Sequence, residues 1–239
     1  VPPEATDLGT RIAIHATGMA RLDAELAETL GVGDRLTVSI AVNSDSLATW
    51  FLPALAGHDG RLFRVLTEDQ DHSAELLRRG EVAAAVTTRA DPVQGTNCIA
   101  LGRLRYVATA SPEFVRQHFS EGLTAQAFAK APALVFNTKD SLQTDWVQAR
   151  IGERVALPCH YLPSTRGFVE AAVLGIGWGM NPEPLVQDAL EDGRLVALDA
   201  ANHMDTGLYW QSSRVGGAAI KALTTSVRRA ASAVLYPAG

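Results

Sequence analysis

The chain has 239 residues, of which 47% are hydrophobic and 20% are charged, and its formal net charge is −5. This composition fits one large globular domain or two small ones and excludes a disordered protein. No apolar run approaches the roughly 20 residues that a membrane-spanning helix needs, and a negatively charged chain has no global attraction for nucleic acid. Two cysteines are too few for a disulfide framework or a thiolate metal site, so we expect reduced thiols in a cytoplasmic protein.

The first predicted element is a long amphipathic helix. Apolar residues recur at spacings of three and four from Leu8 to Leu30, and Gly31 and Gly33 end the pattern. A helix of about 22 residues is about 33 Å long. Because it precedes the first strand, we expect it to be a connecting or dimerisation arm. The alternative is that it folds back onto its own domain as a cover helix.

A predicted strand, turn and helix follow. The mostly β-branched stretch from Thr37 to Val42 is typical of a buried parallel strand, and Leu47 and Trp50 begin an apolar helical pattern. The turn between them is rich in hydroxyl, carboxylate and amide side chains: Asn43, Ser44, Asp45 and Ser46. Since the first N–H groups of a helix lack partners, a carboxylate or phosphate could bind there. The alternative is that Ser44 or Ser46 only caps the helix. Leu47 and Trp50 are also candidate binding residues: Trp50 is interpreted as a core residue, but as the first large aromatic of this helix it could also line the pocket.

Further strands predict an α/β fold. Apolar stretches at Leu62–Leu66 and Val82–Val86 alternate with helical segments. Ligands collect outside the carboxyl ends of such strands, so the 43–46 turn should face one crevice with the pairs that follow the two strands, Glu68 with Asp69 and Thr87 with Thr88. The acidic pair suits a cation, because a partly buried ammonium needs a paired anion. The alternative is a solvated turn that favours the next helix N-terminus.

A second α/β series completes the chain. Strands are predicted at 98–101, 106–110, 133–136, 157–162, 194–198 and 207–211, with a glycine-rich strand and turn at 175–182 and a closing helix after Gly216. Candidate site residues again follow two of these strands: Asn137, Asp140, Ser164 and Thr165. Two series joined by crossing strands predict two subdomains and a small-molecule cleft. The glycines at 175–179 do not open a helix as a dinucleotide fingerprint does, so we interpret them as close strand–helix packing.

No catalytic or metal-binding motif accompanies these elements. The six histidines are scattered without metal-ligand spacing, and no nucleophile elbow or phosphate-binding loop is present. We therefore expect neither an enzyme nor a protein with a metal or cofactor.

Several short motifs, in order, resemble the effector-binding domain of LysR-type transcriptional regulators from about Gly33 onward. They are Leu36–Ile40 with Trp50–Pro53, Glu75–Val82, Gly175–Gly177 with a following proline, and Leu190–Val196. A second set resembles the branch of that family that controls the export of lysine and arginine: Asn43–Trp50, Leu77–Val82, Lys130–Pro132, Pro158–His160 and Leu208–Trp210.

The resemblance implies two Rossmann-like subdomains of the periplasmic-binding-protein type. It places a linker and dimerisation helix in residues 1–33, subdomain I in 34–106 plus 209–239, and subdomain II in 107–208. The segment before Leu8 is too short for a winged helix-turn-helix, so promoter DNA would be bound only through a domain outside this sequence. The family pairs side by side, which implies a homodimer or tetramer.

The resemblance also implies a basic amino acid, lysine or arginine, in the cleft, where it would control transcription of an amino-acid export gene. Ser44 and Ser46 would bind the carboxylate, with Thr88 and Ser164 or Thr165 as further donors. Glu68, which stands where the wider family often has glycine, would bind the cation with Asp69, and Asp140 could be a second partner. The alternatives are a solute-binding protein of an amino-acid transport system and, less favoured, an enzyme on the same scaffold.

Overall fold

The computed structural model describes residues 37–67 and 70–238, and residues 6, 8, 9, 12, 15, 16, 18 and 19 near the start of the chain; of residues 70–72 it describes the backbone alone. The residues described between 8 and 19 are helical. The rest of the helix predicted from Leu8 to Leu30 lies outside the described residues.

The chain forms two compact units. Unit 1 combines Val1–Arg103 with Gly207–Gly239, and unit 2 is the intervening segment Leu104–Thr206. Two strands, β4 (Thr96–Ala110) and β9 (His203–Ser213), run from one unit into the other. The predicted α/β fold with crossing strands is therefore confirmed.

Unit 1 is built on three parallel strands. They are β1 (Thr37–Ala41), β2 (Leu62–Leu66) and β3 (Ala84–Thr87), and β1 lies in the middle, with Ala41 opposite both Leu66 and Ala85. Strand β9 extends this sheet antiparallel to β3. Because the three strands are parallel, the segments that leave their carboxyl ends begin at the same edge of the sheet.

The helices of unit 1 pack on this sheet. The segment that follows β1, here called α1, is one helical run made of an α-helical turn (Ser44–Ser46), a π turn (Leu47–Phe51) and a 3₁₀ turn (Leu52–Leu55). The others are α2 (Gln70–Arg78) and α8 (Gly217–Ser232). Trp50 and Phe51 of α1 are buried, and the Phe51 ring lies 6.2 Å from that of Trp210 on β9. The core prediction for Trp50 is confirmed.

Unit 2 repeats the α/β pattern. Strands β5 (Ala133–Val135) and β6 (Cys159–Tyr161) are parallel, while β7 (Gly179–Pro182) and β8 (Val196–Ala197) pair antiparallel with β4. Its helices are α3 (Pro112–His118), α4 (Ala125–Phe128), α5 (Leu142–Ile151), α6 (Thr165–Val173) and α7 (Glu183–Glu191). Their apolar faces enclose a core that contains Leu134 and Phe168.

The segments 98–101 and 106–110, predicted as separate strands, form one continuous strand, β4. Gly102 allows this, because it has φ +139° and a Cβ there would meet the carbonyl oxygen of Tyr236 at 2.6 Å. Arg103 and Tyr236 exchange both backbone hydrogen bonds. Pairing with the end of the chain therefore holds the strand through the glycine.

The glycine-rich segment confirms the predicted close packing. A Cβ on Gly177 would lie 2.9 Å from the Pro132 carbonyl oxygen, and one on Gly179 would lie 2.6 Å from the Phe168 ring. Glycine lets the backbone approach β5 and α6 closely at these positions.

No helix within the described part of the chain is long and apolar enough to cross a membrane.

Candidate binding site

The polar residues predicted in unit 1 lie along the carboxyl edge of its parallel strands. Asn43, Ser44 and Ser46 follow β1, whereas Thr87 ends β3 and Thr88 comes directly after it. The structure therefore brings these two groups to neighbouring positions on one sheet edge. Glu68 and Asp69 follow β2 in sequence but lie outside the described residues.

Asn43, and not a serine, caps α1. Its side-chain oxygen Oδ1 accepts a hydrogen bond from the Ser46 backbone N–H at 2.8 Å. The alternative in which Ser44 or Ser46 supplies the cap is therefore wrong, because the longer amide of Asn43 already satisfies that donor. The serine hydroxyls are left available for other partners.

Ser46 is the residue of this turn that most needs explanation. It is completely buried, and its hydroxyl Oγ has no hydrogen-bond partner in the described part of the chain. Buried polar groups in native proteins are nearly always hydrogen-bonded, so an unpaired hydroxyl indicates a ligand or water that completes it. It lies in the first turn of α1, where the unpaired N–H groups give the helix end a partial positive charge. An anionic group is the partner that this environment favours.

The next turn of α1 departs from regular helix geometry. Leu47, half-buried, begins a π turn, and the Thr49 hydroxyl donates to the Asp45 carbonyl at 2.6 Å. Single π turns inside helices occur frequently at functional sites. The indole N–H of Trp50 is buried without a partner. Trp50 thus packs in the core, as its ring contact of 5.6 Å with Phe51 shows.

The loop that leaves β3 is held in place by a buried glutamine on β9. The Gln211 oxygen accepts from the Val93 N–H at 2.8 Å and from the Thr96 hydroxyl at 3.3 Å, and its amide nitrogen donates to the Arg89 and Asp91 carbonyls. Both oxygen lone pairs and both N–H donors are used. The hydroxyl oxygen of Thr87 accepts a hydrogen bond from the Arg89 backbone N–H at 3.1 Å. The backbone beside Thr87 and Thr88 is therefore fixed.

The residues predicted in unit 2 lie at the corresponding edge of β5 and β6. Asp140 accepts backbone N–H bonds from Phe136 at 2.9 Å and Leu142 at 3.1 Å, one on each carboxylate oxygen. Asn137 accepts from the Lys139 N–H. After β6, Ser164 caps α6 by accepting from the Gly167 N–H at 3.1 Å, and Thr165 is 8% exposed. The capping role of Ser164 leaves its oxygen less available than Ser46 Oγ.

Asp140 places a carboxylate at this edge of the sheet. The half-exposed carboxylate has further lone pairs, and together with burial it raises the pKa of the nearby Cys159 thiol, burial being the larger cause. The Asp140 carboxylate disfavours the negative thiolate form of Cys159, and by the same electrostatic effect it favours a cation nearby.

Sequence reasoning missed Gln143, which lies in the first turn of α5. It is 1% exposed, and neither its side-chain oxygen nor its nitrogen has a hydrogen-bond partner among residues 37–67 and 70–238. Its place after β5 matches that of Ser46 after β1: each is a buried, unpaired polar residue in the first turn after the first parallel strand of its unit. The signal in the sequence was an uncharged polar residue shortly after Asp140. The sequence pattern does not single out such a residue, because glutamine is common on the exposed faces of helices.

The described residues include no group of three or more histidine, cysteine, aspartate or glutamate side chains that could hold a metal ion. Both edges instead present uncharged donors and single carboxylates, a chemistry that suits a small polar organic ligand.

Comparison with known proteins identifies the family. Residues 32–232 match the model of the LysR substrate binding domain. The chain is 43% identical, over 97% of its own length and 77% of the relative's, to the HTH-type transcriptional regulator LysG of Mycobacterium tuberculosis. The chain belongs to the LysR family of transcriptional regulators.

Two solved LysR regulators share its fold. ArgP from Mycobacterium tuberculosis has 42% identity and a TM-score of 0.91, with 98% of this chain and 81% of that chain covered. Full-length LysG from Corynebacterium glutamicum with bound effector Arg has 35% identity and a TM-score of 0.88, with 99% and 82% covered. The predicted family, its LysG and ArgP branch and the absence of an enzymatic role are confirmed, because these relatives are regulators.

Proposed function

We propose that this chain is the effector-sensing part of a LysR-type regulator that binds arginine or lysine and controls transcription of an amino-acid export gene. The observation that supports it most directly is the likeness, along 99% of the chain, to a LysG that was solved with arginine. In this proposal the full-length regulator acts in the cytoplasm and binds promoter DNA through a domain outside this sequence. A ligand switches such a protein only if it binds the two states unequally.

The carboxylate of the amino acid is proposed to bind at the start of α1. Ser46 Oγ is buried with no hydrogen-bond partner among the described residues, and Asn43 caps the Ser46 N–H of the turn. A carboxylate there gains the hydroxyl donor and the positive end of the helix. Thr88 at the end of the neighbouring strand is a further contact in this proposal.

The side-chain cation is proposed to pair with Glu68 and Asp69. These residues follow β2, whose carboxyl end lies beside that of β1. A guanidinium or ammonium that leaves water needs an anionic partner. For unit 2, Asp140 and the unsatisfied amide of Gln143 are proposed as ligand contacts, whereas Asn137, Ser164 and Thr165 remain predictions.

Isothermal titration calorimetry tests this assignment with ligands that have similar shapes but differ in charge. Arginine or lysine should bind, while citrulline, the neutral isostere of arginine, should bind roughly 10- to 100-fold more weakly, because a hydrogen bond to a charged group contributes about 1.5–3 kcal/mol. Agmatine, which lacks the carboxylate, should lose a similar amount. Equal affinities for arginine and citrulline would show that no carboxylate recognises the cation.

Glu68→Gln should reduce the affinity for arginine roughly tenfold or more and leave that for citrulline nearly unchanged, since the lost pair involves the guanidinium charge. The matched control is Glu81→Gln, because Glu81 is exposed and precedes β3 at the opposite, amino end of the sheet. If both variants weaken arginine binding equally, a general loss of negative charge explains the effect, and Glu68 is not a ligand contact.

We also propose that the N-terminal helix forms a homodimer or a higher oligomer. Leu8, Ile12 and Met19 are 67%, 60% and 54% exposed, although all three belong to the apolar stripe of the helix. An exposed apolar stripe on a helix is typical of a surface that another helix covers.

Ile12→Glu should shift the protein from dimer towards monomer in sedimentation-velocity experiments, because it places a charge within the stripe. Thr10→Glu adds the same charge at a position that the helical spacing of the sequence predicts to lie outside the stripe, so it should leave the dimer intact. A wild-type protein that sediments as a monomer at all concentrations contradicts the proposal.

A further inference from the structure

Asn181 is a buried polar residue near the end of β7 that the effector proposal does not use. It is 0% exposed, and no described residue forms a hydrogen bond with its side-chain oxygen Oδ1. A buried amide oxygen that has lost its hydrogen bonds to water is unfavourable unless another group donates to it. The unpaired oxygen therefore indicates that a bound molecule supplies a donor.

The nitrogen end of the same amide is already engaged. The Asn181 Nδ2 donates to the Thr109 hydroxyl oxygen of β4 at 2.9 Å and to the Gly179 carbonyl of its own strand at 3.4 Å. A carbonyl can only accept, so the contact with Gly179 fixes which end of the amide is nitrogen and which is oxygen. Since an amide oxygen can only accept, the partner that Oδ1 lacks must be an N–H or O–H donor.

The direction of Oδ1 follows from the strands on either side of β7. On one side β7 pairs with β4, where Gly179 is opposite Thr109, and on the other side Trp178 forms a parallel bridge with Ala133 of β5. The Nδ2 end is held at β4, and the oxygen and nitrogen of a planar amide point apart. Oδ1 is therefore directed away from β4, toward the side of β7 on which β5 lies.

The carboxylate of Asp140 lies between the ends of β5 and β7. The Leu134 N–H donates to the Trp178 carbonyl at 2.7 Å, so it points toward β7. Because the N–H groups of alternate strand residues point the same way, the Phe136 N–H also points toward β7. It donates instead to the Asp140 carboxylate at 2.9 Å. Asp140 thus takes the place that a backbone carbonyl of β7 would have if the two strands stayed paired.

Asp140 and Asn181 act at the same level of the unit 2 sheet. The bridge between Ala133 and Trp178 sets the register, and three residues further along the two chain segments are Phe136 and Asn181. Asp140 binds the N–H of the first, and Oδ1 of the second is directed toward β5. Each oxygen of the Asp140 carboxylate accepts one backbone N–H, which leaves each a lone pair for another donor. Two acceptors, one of them a carboxylate, therefore meet at this edge.

We propose that the Asp140 carboxylate and Asn181 Oδ1 bind the α-ammonium of the effector, so that Asn181 makes the site specific for an amino acid over a carboxylic acid without an amino group. This inference rests on the proposed function, in which the carboxylate binds at α1 and the side-chain cation pairs with Glu68 and Asp69. The α-ammonium is the remaining charged group of such a ligand. It has three N–H donors and no acceptor, which matches two groups that accept, and the carboxylate supplies the counter-charge.

Calorimetry on the full chain with arginine and 5-guanidinopentanoate, which is arginine without its α-ammonium, tests this contact. The wild-type chain should bind 5-guanidinopentanoate roughly tenfold or more weakly, because a hydrogen bond to a charged group is lost. Asn181→Leu has a similar volume and no acceptor, so it should weaken arginine roughly tenfold and leave 5-guanidinopentanoate nearly unchanged. Citrulline keeps the α-ammonium but not the guanidinium charge, and Asn181→Leu should weaken it by the same factor as arginine.

Two further variants separate the contact from the fold. Asn181→Leu also removes the hydrogen bond to Thr109, so Asn181→Asp, which keeps an oxygen acceptor in the same place, tests the contact even if the leucine variant does not fold. Asn181→Asp should preserve or increase the preference for arginine over 5-guanidinopentanoate. Gln117→Leu, a matched control that replaces an exposed amide on α3, should change neither affinity. Urea denaturation followed by circular dichroism checks that each variant folds.

The outcomes distinguish this contact from the proposed function. Equal weakening of arginine and 5-guanidinopentanoate by Asn181→Leu, or loss of the preference in a folded Asn181→Asp, would mean that Asn181 acts only through the fold and would overturn the α-ammonium contact alone. Weakening of arginine but not of citrulline would assign Asn181 to the guanidinium and would also overturn it. If the wild-type chain binds neither arginine nor lysine, the proposed effector is wrong, and the contact is overturned with it.

Discussion

Ser46→Leu is expected to abolish arginine and lysine binding, with Kd raised more than roughly 100-fold, because it removes a charge-assisted hydrogen bond and fills the space at the helix end with an apolar group. Ser46 is the completely buried residue of the turn, and its hydroxyl has no hydrogen-bond partner among the residues that the structure describes. Calorimetry measures the affinity, and far-UV circular dichroism checks that the variant folds.

A milder substitution of Ser46 and a control at another residue test the same contact if leucine disturbs the fold. Ser46→Ala should weaken binding roughly tenfold or more, which is the loss of one hydrogen bond to a charged group. Ser39→Ala, a control in the adjoining strand β1, should leave the affinity unchanged. Unchanged affinity in both Ser46 variants would remove the turn from the binding site.

The largest loss of stability is expected from Trp178→Ala, which should lower the free energy of unfolding by about 3–5 kcal/mol. Trp178 is fully buried in the core of unit 2, with its ring 5.2 Å from that of Phe128 and 5.7 Å from that of Trp146. Truncation leaves a cavity that these rings cannot fill. Urea denaturation followed by circular dichroism measures the change.

The phenylalanine variants of the same two tryptophans should differ. The Trp178 indole N–H is buried and has no partner within the described residues, whereas that of Trp146 donates to the Asn202 carbonyl at 2.9 Å. Trp146→Phe therefore loses a hydrogen bond, and Trp178→Phe removes a donor that was never satisfied. We expect Trp146→Phe to cost about 1–2 kcal/mol more. The reverse order would mean that packing, not hydrogen bonding, decides both values.

The alternation of strands and helices was predictable because each element carries its own signal. The β-branched residues of β1 favour a strand within a few residues of themselves, and the structure confirms that strand. Helix α5 was missed because Gln143, a polar residue, occupies its buried face together with Trp146 and Val147. Helix α7 was not predicted, although Pro184 lies in its first turn, a position that proline fits well.

The candidate site, too, could be predicted from the sequence only in part. That polar residues follow the parallel strands could be predicted from sequence, and so could the sheet edge where Ser46 and Thr88 lie. That Asn43 caps α1 and that the Ser46 hydroxyl remains unpaired depend on side-chain geometry. Gln143 could not be found either, because only the packing around α5 shows that a glutamine there is buried without partners.

Unit 2 is a continuous insertion in the chain, while unit 1 is assembled from its two ends. On the ribosome, every residue of unit 2 is therefore made before β9 can pair with β3, whose partner residues Ala84 and Ser212 are far apart in sequence. Strand pairs this distant form slowly, and domains fold as units during synthesis. The residues of the unit 2 core are thus complete before the three parallel strands of unit 1 can pack against β9 and α8. A chain that ends after residue 206 would hold every residue of unit 2 but would lack most of β9 and all of α8, which complete unit 1.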